Sequence, residues 1–186
     1  YLSWRLRFDI AATVCYLTTK TRNPTAGDLS KLNHLLAYLK QTADMPLVMH
    51  SSGDINQIDI YIDSSFAITQ DGSSITGMVL QLGGSTIKAC SSKQKSISAS
   101  PFESELTATY LQIHQAFDIT NLLRELGFRP HPFILHQDNQ AVIHVIQSPG
   151  ATNEKFRTRW VKSKVAKLRQ LYQLQTFTVI YTTTGS

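Results

Sequence analysis

The chain is predicted to form an α/β domain in which three antiparallel strands are followed by parallel ones, behind a helical N-terminal segment. Three observations predict this. Apolar residues alternate along 57–67, with Ile58, Ile60 and Ile62 on one face, as in a half-buried strand. Gly83-Gly84 separates two further strand-like runs and marks a tight hairpin. Beyond residue 133, strand-like and helix-like runs alternate, and helical crossovers require parallel pairing.

In chain order, Ile10, Val14 and Leu17 recur at helical spacing in a predicted helix over 9–20, which Asn23-Pro24-Thr25 breaks. A second helix follows, with Leu29, Leu32, Leu36 and Leu39 on one face and Asp28 near its start. Met45-Pro46 and Ser51-Ser52-Gly53 read as a linker. We therefore expect a helical segment over 1–52 and a sheet domain over 53–186. Strand 57–67 turns at Asp71-Gly72-Ser73-Ser74 into a strand over 75–82, and Ser85–Cys90 returns. A helix from Pro101 to Leu126 is stopped by Gly127 and Pro130. Strand 133–138, a short helix 139–147, the loop Ser148-Pro149-Gly150, a basic helix 153–174 and a strand 176–181 complete the pattern.

A chain of 186 residues has room for one full core and a small appendage. Its 42% hydrophobic and 17% charged residues are values of a globular chain. The net charge of +5 fits either a polyanionic partner or a merely basic surface, and the location of the charge decides between them. Cys15 and Cys90 form no metal-ligand cluster and fit a reducing compartment. No apolar run is long enough to cross a bilayer. Beginning at Tyr1 without an initiator Met, the sequence reads as a piece of something longer.

Three acids stand out. Asp63 ends the strand Asp59-Ile60-Tyr61-Ile62-Asp63, Glu105 lies near the start of the long helix, and Asp138 closes strand 133–138. Each alone is ordinary: a strand-end Asp caps turns, and Glu suits the first turns of a helix. Together, at the ends of elements that should neighbour one another in a sheet, they suggest a metal site. Crowded carboxylates repel and hold protons unless a cation neutralises them. Oxygen-only ligands select Mg²⁺ or Mn²⁺, and a pair of such ions promotes phosphodiester hydrolysis. A nuclease is the leading expectation.

Nucleic-acid contacts are expected from the basic helix. Val161, Val165, Leu168 and Tyr172 form its apolar stripe, while Lys155, Arg157, Arg159, Lys162, Lys164, Lys167 and Arg169 occupy the rest. After Glu154 no acid balances the run, which favours phosphate over a merely solvated face. Lys88, Lys93 and Lys95 extend the track from the third strand. Asn139, beside Asp138, is a ready N-cap and a candidate nucleic-acid contact. His114, His136 and His144 read as lone core or surface histidines.

Several stretches carry a family resemblance. Arg7-Phe8-Asp9-Ile10-Ala11 resembles Arg-Pro-Asp-Ile-Ala, and Asn23-Pro24-Thr25 an Asn-Pro-Thr break. Leu35-Leu36-Ala37-Tyr38-Leu39-Lys40-Gln41-Thr42 matches Leu-Arg-Tyr-Leu-Lys-Gly-Thr. Ser92-Lys93-Gln94-Lys95 with Phe102-Glu103-Ser104-Glu105-Leu106 is similar to Lys-Lys-Gln and Ser-Thr-Glu-Ala-Glu-Tyr. Asp138-Asn139-Gln140-Ala141 matches Asp-Asn-Gln-Ser/Ala, and Arg157-Thr158-Arg159 is similar to Arg-Thr-Lys. In this ordered set the chain resembles the ribonuclease H domain of copia-type retrotransposon polyproteins, preceded by the tail of the reverse transcriptase.

The resemblance implies a ribonuclease H-like mixed five-stranded sheet and cleavage of the RNA strand of RNA–DNA hybrids with two Mg²⁺ or Mn²⁺ ions. It implies that Asp63, Glu105 and Asp138 are metal ligands, with Glu103 the rival of Glu105. A fourth acid belongs to an Ala-Asp-x-Leu-Thr-Lys motif expected beyond Ser186, so the domain reads as truncated at its C-terminus. Trp160-Val161-Lys162 departs from the family's His-Ile-Asp, which leaves a catalytically impaired nucleic-acid-binding remnant as the alternative. A transposase-type nuclease fits less well, because there Glu comes last among the acids. The implied partners are an RNA–DNA hybrid and the reverse transcriptase of the same polyprotein, with no membrane, in virus-like particles of the cytoplasm or in the nucleus.

Overall fold

The computed structural model describes residues 1–50, 53–148 and 159–183. The Ser51-Ser52 part of the expected linker, Pro149-Gly150, Lys155, Arg157 and the expected helix start before residue 159 lie outside them, as do residues 184–186.

One mixed five-stranded sheet organises the chain. Its strands are β1 (Ile58–Ser65), β2 (Ile75–Leu82), β3 (Ser85–Lys93), β4 (Phe133–Gln137) and β5 (Phe177–Tyr181). They lie in the order β3-β2-β1-β4-β5, with the first two pairings antiparallel and β1–β4 and β4–β5 parallel. Gly83 and Gly84 both take positive φ, +56° and +79°, as a two-residue hairpin turn requires. The turn docks on the strand beside it through a bond from the Gly83 N–H to the Gln57 carbonyl, 2.9 Å.

The alternation of β1 sorts its side chains. Ile58, Ile60 and Ile62 are buried on one face with Leu80, Phe133, Leu135 and Phe177, each apolar side chain contributing roughly 1.5–3 kcal/mol. Asp59, Tyr61 and Asp63 point to the other face. Covering the apolar face is α4 (Pro101–Glu125), which contributes Leu106, Ala108, Ile113 and Ala116 to the core. Its start is capped by the Ser100 hydroxyl, which accepts from the Glu103 N–H at 3.2 Å. Its end is a Schellman turn: Gly127, at φ +88°, donates to the Arg124 carbonyl and Phe128 to that of Leu123. The helices α5 (Gln140–Gln147) and α6 (Arg159–Gln173) complete the layer, with Val142, Ile146, Val161, Val165 and Leu168 inward.

The N-terminal residues form α1 (Leu2–Arg5), a 3₁₀ turn (Phe8–Ile10), α2 (Ala11–Thr18) and α3 (Ala26–Gln41). Two details differ from the sequence expectation. The stripe buried near the start is Ile10, Ala11 and Cys15 rather than Ile10, Val14 and Leu17, because α2 packs against β3. On α3 the fully buried leucine is Leu35, while Leu29, Leu32 and Leu36 are 57%, 40% and 54% exposed. Among the described elements α3 packs chiefly on α2, so most of its apolar stripe meets no covering layer.

Two of the family-like motifs meet here. The Arg7 guanidinium donates to Asp9 at 2.8 and 3.0 Å and to the carbonyl and hydroxyl of Thr42, while Tyr38 donates to Asp9 at 2.8 Å. Arg7-Phe8-Asp9 and the Tyr38–Thr42 helix end are thus two halves of one polar clamp. Thr25 and Asp28 close the opposite end of α3 as a reciprocal capping box.

Candidate metal centre

The sheet topology brings the three acids together. Asp63 lies toward the C-terminal end of β1, opposite Gly77 of β2. Asp138 directly follows β4, which runs parallel to β1 with Tyr61 beside His136, so both chains deliver an Asp two residues further on. Glu105 sits in the second turn of α4, whose packing on β1 aims it at the same point. One carboxylate oxygen from each of the three lies within 4.8 Å of the others. Ligands collect at such carboxyl ends of strands in open α/β sheets.

Burial differs across the cluster: Asp63 is exposed, Asp138 half-buried and Glu105 only 5% exposed. The Glu105 Oε1 accepts from the Ser64 N–H at 2.8 Å, whereas its Oε2 is buried without a hydrogen-bond partner. Burial, then the charges of Asp63 and Asp138, push the Glu105 carboxyl up to about 8. Glu103, the rival acid, turns away and accepts from the Ala99 N–H at 3.0 Å, closing the start of α4.

A layer of buried polar side chains holds these elements in place. Gln94 donates to the Thr76 hydroxyl and the Ser104 carbonyl, each at 3.0 Å, and to the Ser64 hydroxyl at 3.3 Å. Ser64 and Ser104 share a hydrogen bond between their hydroxyls. Gln94, Ser64, Ser104 and Gln137 were not singled out from the sequence. Ser64 and Gln137 were signalled by polarity at inward strand positions, and Gln94 and Ser104 by their place in the family-like runs 92–95 and 102–106.

No family model matches the chain. It is 26% identical over 172 residues to the Transposon Ty1-ER2 Gag-Pol polyprotein of Saccharomyces cerevisiae, and equally to the Ty1-MR2 polyprotein. The match covers 91% of this chain and 10% of theirs, so the chain spans about a tenth of the length of these relatives. Among solved structures it is similar to LC11-RNase H1 isolated from compost, with TM-score 0.51 and 17% identity over 68% of this chain and 84% of that one. A foamy viral protease-reverse transcriptase solved in complex with RNA/DNA hybrid matches 90% of this chain and 25% of its own, with TM-score 0.50 and 13% identity. The chain has a ribonuclease H-like fold and is similar in sequence to Ty1 Gag-Pol polyproteins.

The cationic candidates of this ribonuclease H-like domain divide. Arg159, Lys95 and Lys167 are exposed and Lys162 half-buried. Lys93 is exposed and pairs with Asp71 at 2.6 Å, a surface contact worth little. Lys164 is a correction to the basic face: it is 3% exposed, donates to the Thr107 hydroxyl at 2.8 Å and lies over the Trp160 ring. Burial lowers its amine to about 8. Arg169 turns inward to the Val145 carbonyl. Packing of α6 on α4 leaves a narrower basic strip than the linear count of cations suggests. Asn139 serves as the N-cap of α5, its Oδ1 accepting from Ala141 and Val142.

His136 is not a lone histidine. Its Nε2 lies 2.8 Å from Asp59, its Nδ1 3.0 Å from the Thr182 hydroxyl, and its ring stacks on Tyr61 with centroids 3.9 Å apart. This group lies on the sheet face opposite α4 and joins β1, β4 and the end of β5. Its signal was the parallel register that sets Tyr61 beside His136, which no single strand displays. Among the described residues no helix is long and apolar enough to cross a membrane.

Proposed function

We propose that this domain hydrolyses the RNA strand of RNA–DNA hybrids, with Asp63, Glu105 and Asp138 holding two Mg²⁺ or Mn²⁺ ions. The observation that carries the reading is the convergence of the three carboxylates within 4.8 Å, with a buried Glu105 oxygen that lacks a partner. Such a group of acids fits a hard cation, which supplies the missing partner of Glu105 and offsets the mutual repulsion. When bound, the ions supply an activated water and stabilise the leaving oxygen. Asp63, facing solvent, is the ligand nearest an incoming backbone. Ser64 and Gln94 tie the start of α4, and with it Glu105, to β1 and β2. Lys95, Arg159, Lys162, Lys167 and Arg157 are the proposed phosphate contacts, with Lys93 and Asn139 at their margin.

The likeness to a ribonuclease H and to a reverse transcriptase solved on a hybrid supports this choice of substrate. We further propose that residues 1–52 belong to the reverse transcriptase side of a longer polyprotein and 53–186 to the nuclease. A hybrid-binding domain without turnover is the second reading, favoured by Trp160-Val161-Lys162 where the resembled family has His-Ile-Asp. Incubating the chain with a labelled hybrid and Mg²⁺ separates the two. Hydrolysis should require the metal and be lost in Asp63→Asn. Binding without any metal-dependent product would favour the second reading.

A further inference from the structure

Gln137 is a buried amide that the metal reading leaves without a task. It ends β4, immediately before Asp138, and its side chain is 1% exposed on the face covered by α4. Burying an amide is costly unless its donors and acceptors are used. Here they are. Its Oε1 accepts from the backbone N–H groups of Asp138 and Asn139, at 2.9 and 3.0 Å. Its Nε2 donates to the Thr109 hydroxyl at 3.0 Å, one helical turn beyond Glu105 on α4. The Gln137 carbonyl accepts from the Thr182 N–H at 3.1 Å, so its backbone also anchors the end of β5.

We infer that Gln137 is a positioning residue for the metal centre, bridging the loop that carries Asp138 to the helix that carries Glu105. The two bonds to Oε1 turn the chain sharply out of β4, which aims Asp138 at Asp63. The bond to Thr109 sets how far that turn stands from α4. Because Oε1 receives two N–H groups, Nε2 must face the helix, and the amide has one workable orientation. An apolar side chain of equal size would fill the same space and hold neither element. A shorter polar one would not span the gap.

The inference rests on the metal-centre reading, and the test separates the two. Mn²⁺ binding to the full chain is measured by calorimetry, alongside melting without metal, for wild type, Gln137→Leu, Thr109→Val and Thr109→Ser. Wild type that binds no Mn²⁺ would remove the reading beneath. If it binds, Gln137→Leu is expected to weaken Mn²⁺ affinity by roughly 10-fold or more, the range seen for outer partners of metal ligands. Thr109→Val should shift affinity in the same direction, and Thr109→Ser, which keeps the hydroxyl, should restore it even where melting falls. A folded Gln137→Leu with wild-type Mn²⁺ affinity would show the amide to be structural only. Should Gln137→Leu not fold, the Thr109 pair decides: equal Mn²⁺ affinities for Val and Ser overturn the inference.

Discussion

At the residue scale, Glu105 is where structure and titration meet. Its carboxyl rises from an ordinary 4.5 to about 8 because it is buried between two other acids. Without divalent metal, the folded chain keeps this proton through the window from 4.5 to 8, whereas the unfolded chain releases it. Stability therefore falls across that window through this one group, being complete below 4.5 and lost as pH passes 8. Glu105→Gln removes the titration while keeping the shape. Its urea midpoint in EDTA should gain on wild type steadily between pH 5 and pH 8. Parallel curves for the two proteins would show that the carboxyl is not so perturbed. With metal present, binding expels the proton, so affinity should rise with pH up to about 8.

At the element scale, α1, the 3₁₀ turn and α2 pack on β3, and within the N-terminal segment the Arg7 clamp ties the turn to the end of α3. Arg7 is largely buried, and its donors are divided between Asp9 on the 3₁₀ turn and Thr42 at the end of α3. Asp9 is held below the usual carboxylate range by that hydrogen bond. Arg7→Ala removes the bonds from the turn to Thr42 and leaves the Tyr38–Asp9 bond in place. Limited proteolysis should then cut residues 42–50 faster, with β1, β2 and α4 as protected as before. Uniformly faster cutting of the sheet would mean that the segment is integral to the domain, against the proposed division at residue 52. The replacement of proline by Phe8 inside this motif does not disturb the clamp, since no bond of the clamp uses the side chain at that position.

At the scale of the whole molecule, the +5 charge acquires a location only after packing. Lys164 and Arg169 are withdrawn into the α4–α6 and α5–α6 contacts, which leaves Arg159, Lys162 and Lys167 as the described outward cations of α6. If this strip meets the hybrid backbone, reversing Lys162 and Lys167 to Glu should weaken binding to every sequence alike. The loss should be about 1 kcal/mol or more for each phosphate contact, with a shallower dependence of affinity on salt. Fluorescence anisotropy over a salt series measures both. Unchanged affinity and slope would take α6 out of the interface.

Local periodicity determined much by itself. The alternation of Ile58, Ile60 and Ile62, the Gly83-Gly84 turn, and the stop at Gly127 each encode an element through backbone and solvent preferences that act within a few residues. The acids could be picked out for the same reason, since strand and helix ends are legible locally. What only the tertiary structure decided depends on distances between segments far apart in sequence. The 4.8 Å convergence needs β4 to lie parallel to β1 and α4 to cross it, and no local pattern states that spacing. The same holds for Lys164, whose helical position reads as surface until α4 covers it. It holds for His136, whose partner Asp59 lies on another strand. Gln137 is the sharpest case: a polar residue at an inward position reads as an exception in one strand. It becomes a bridge only when Thr109, 28 residues away, is folded against it.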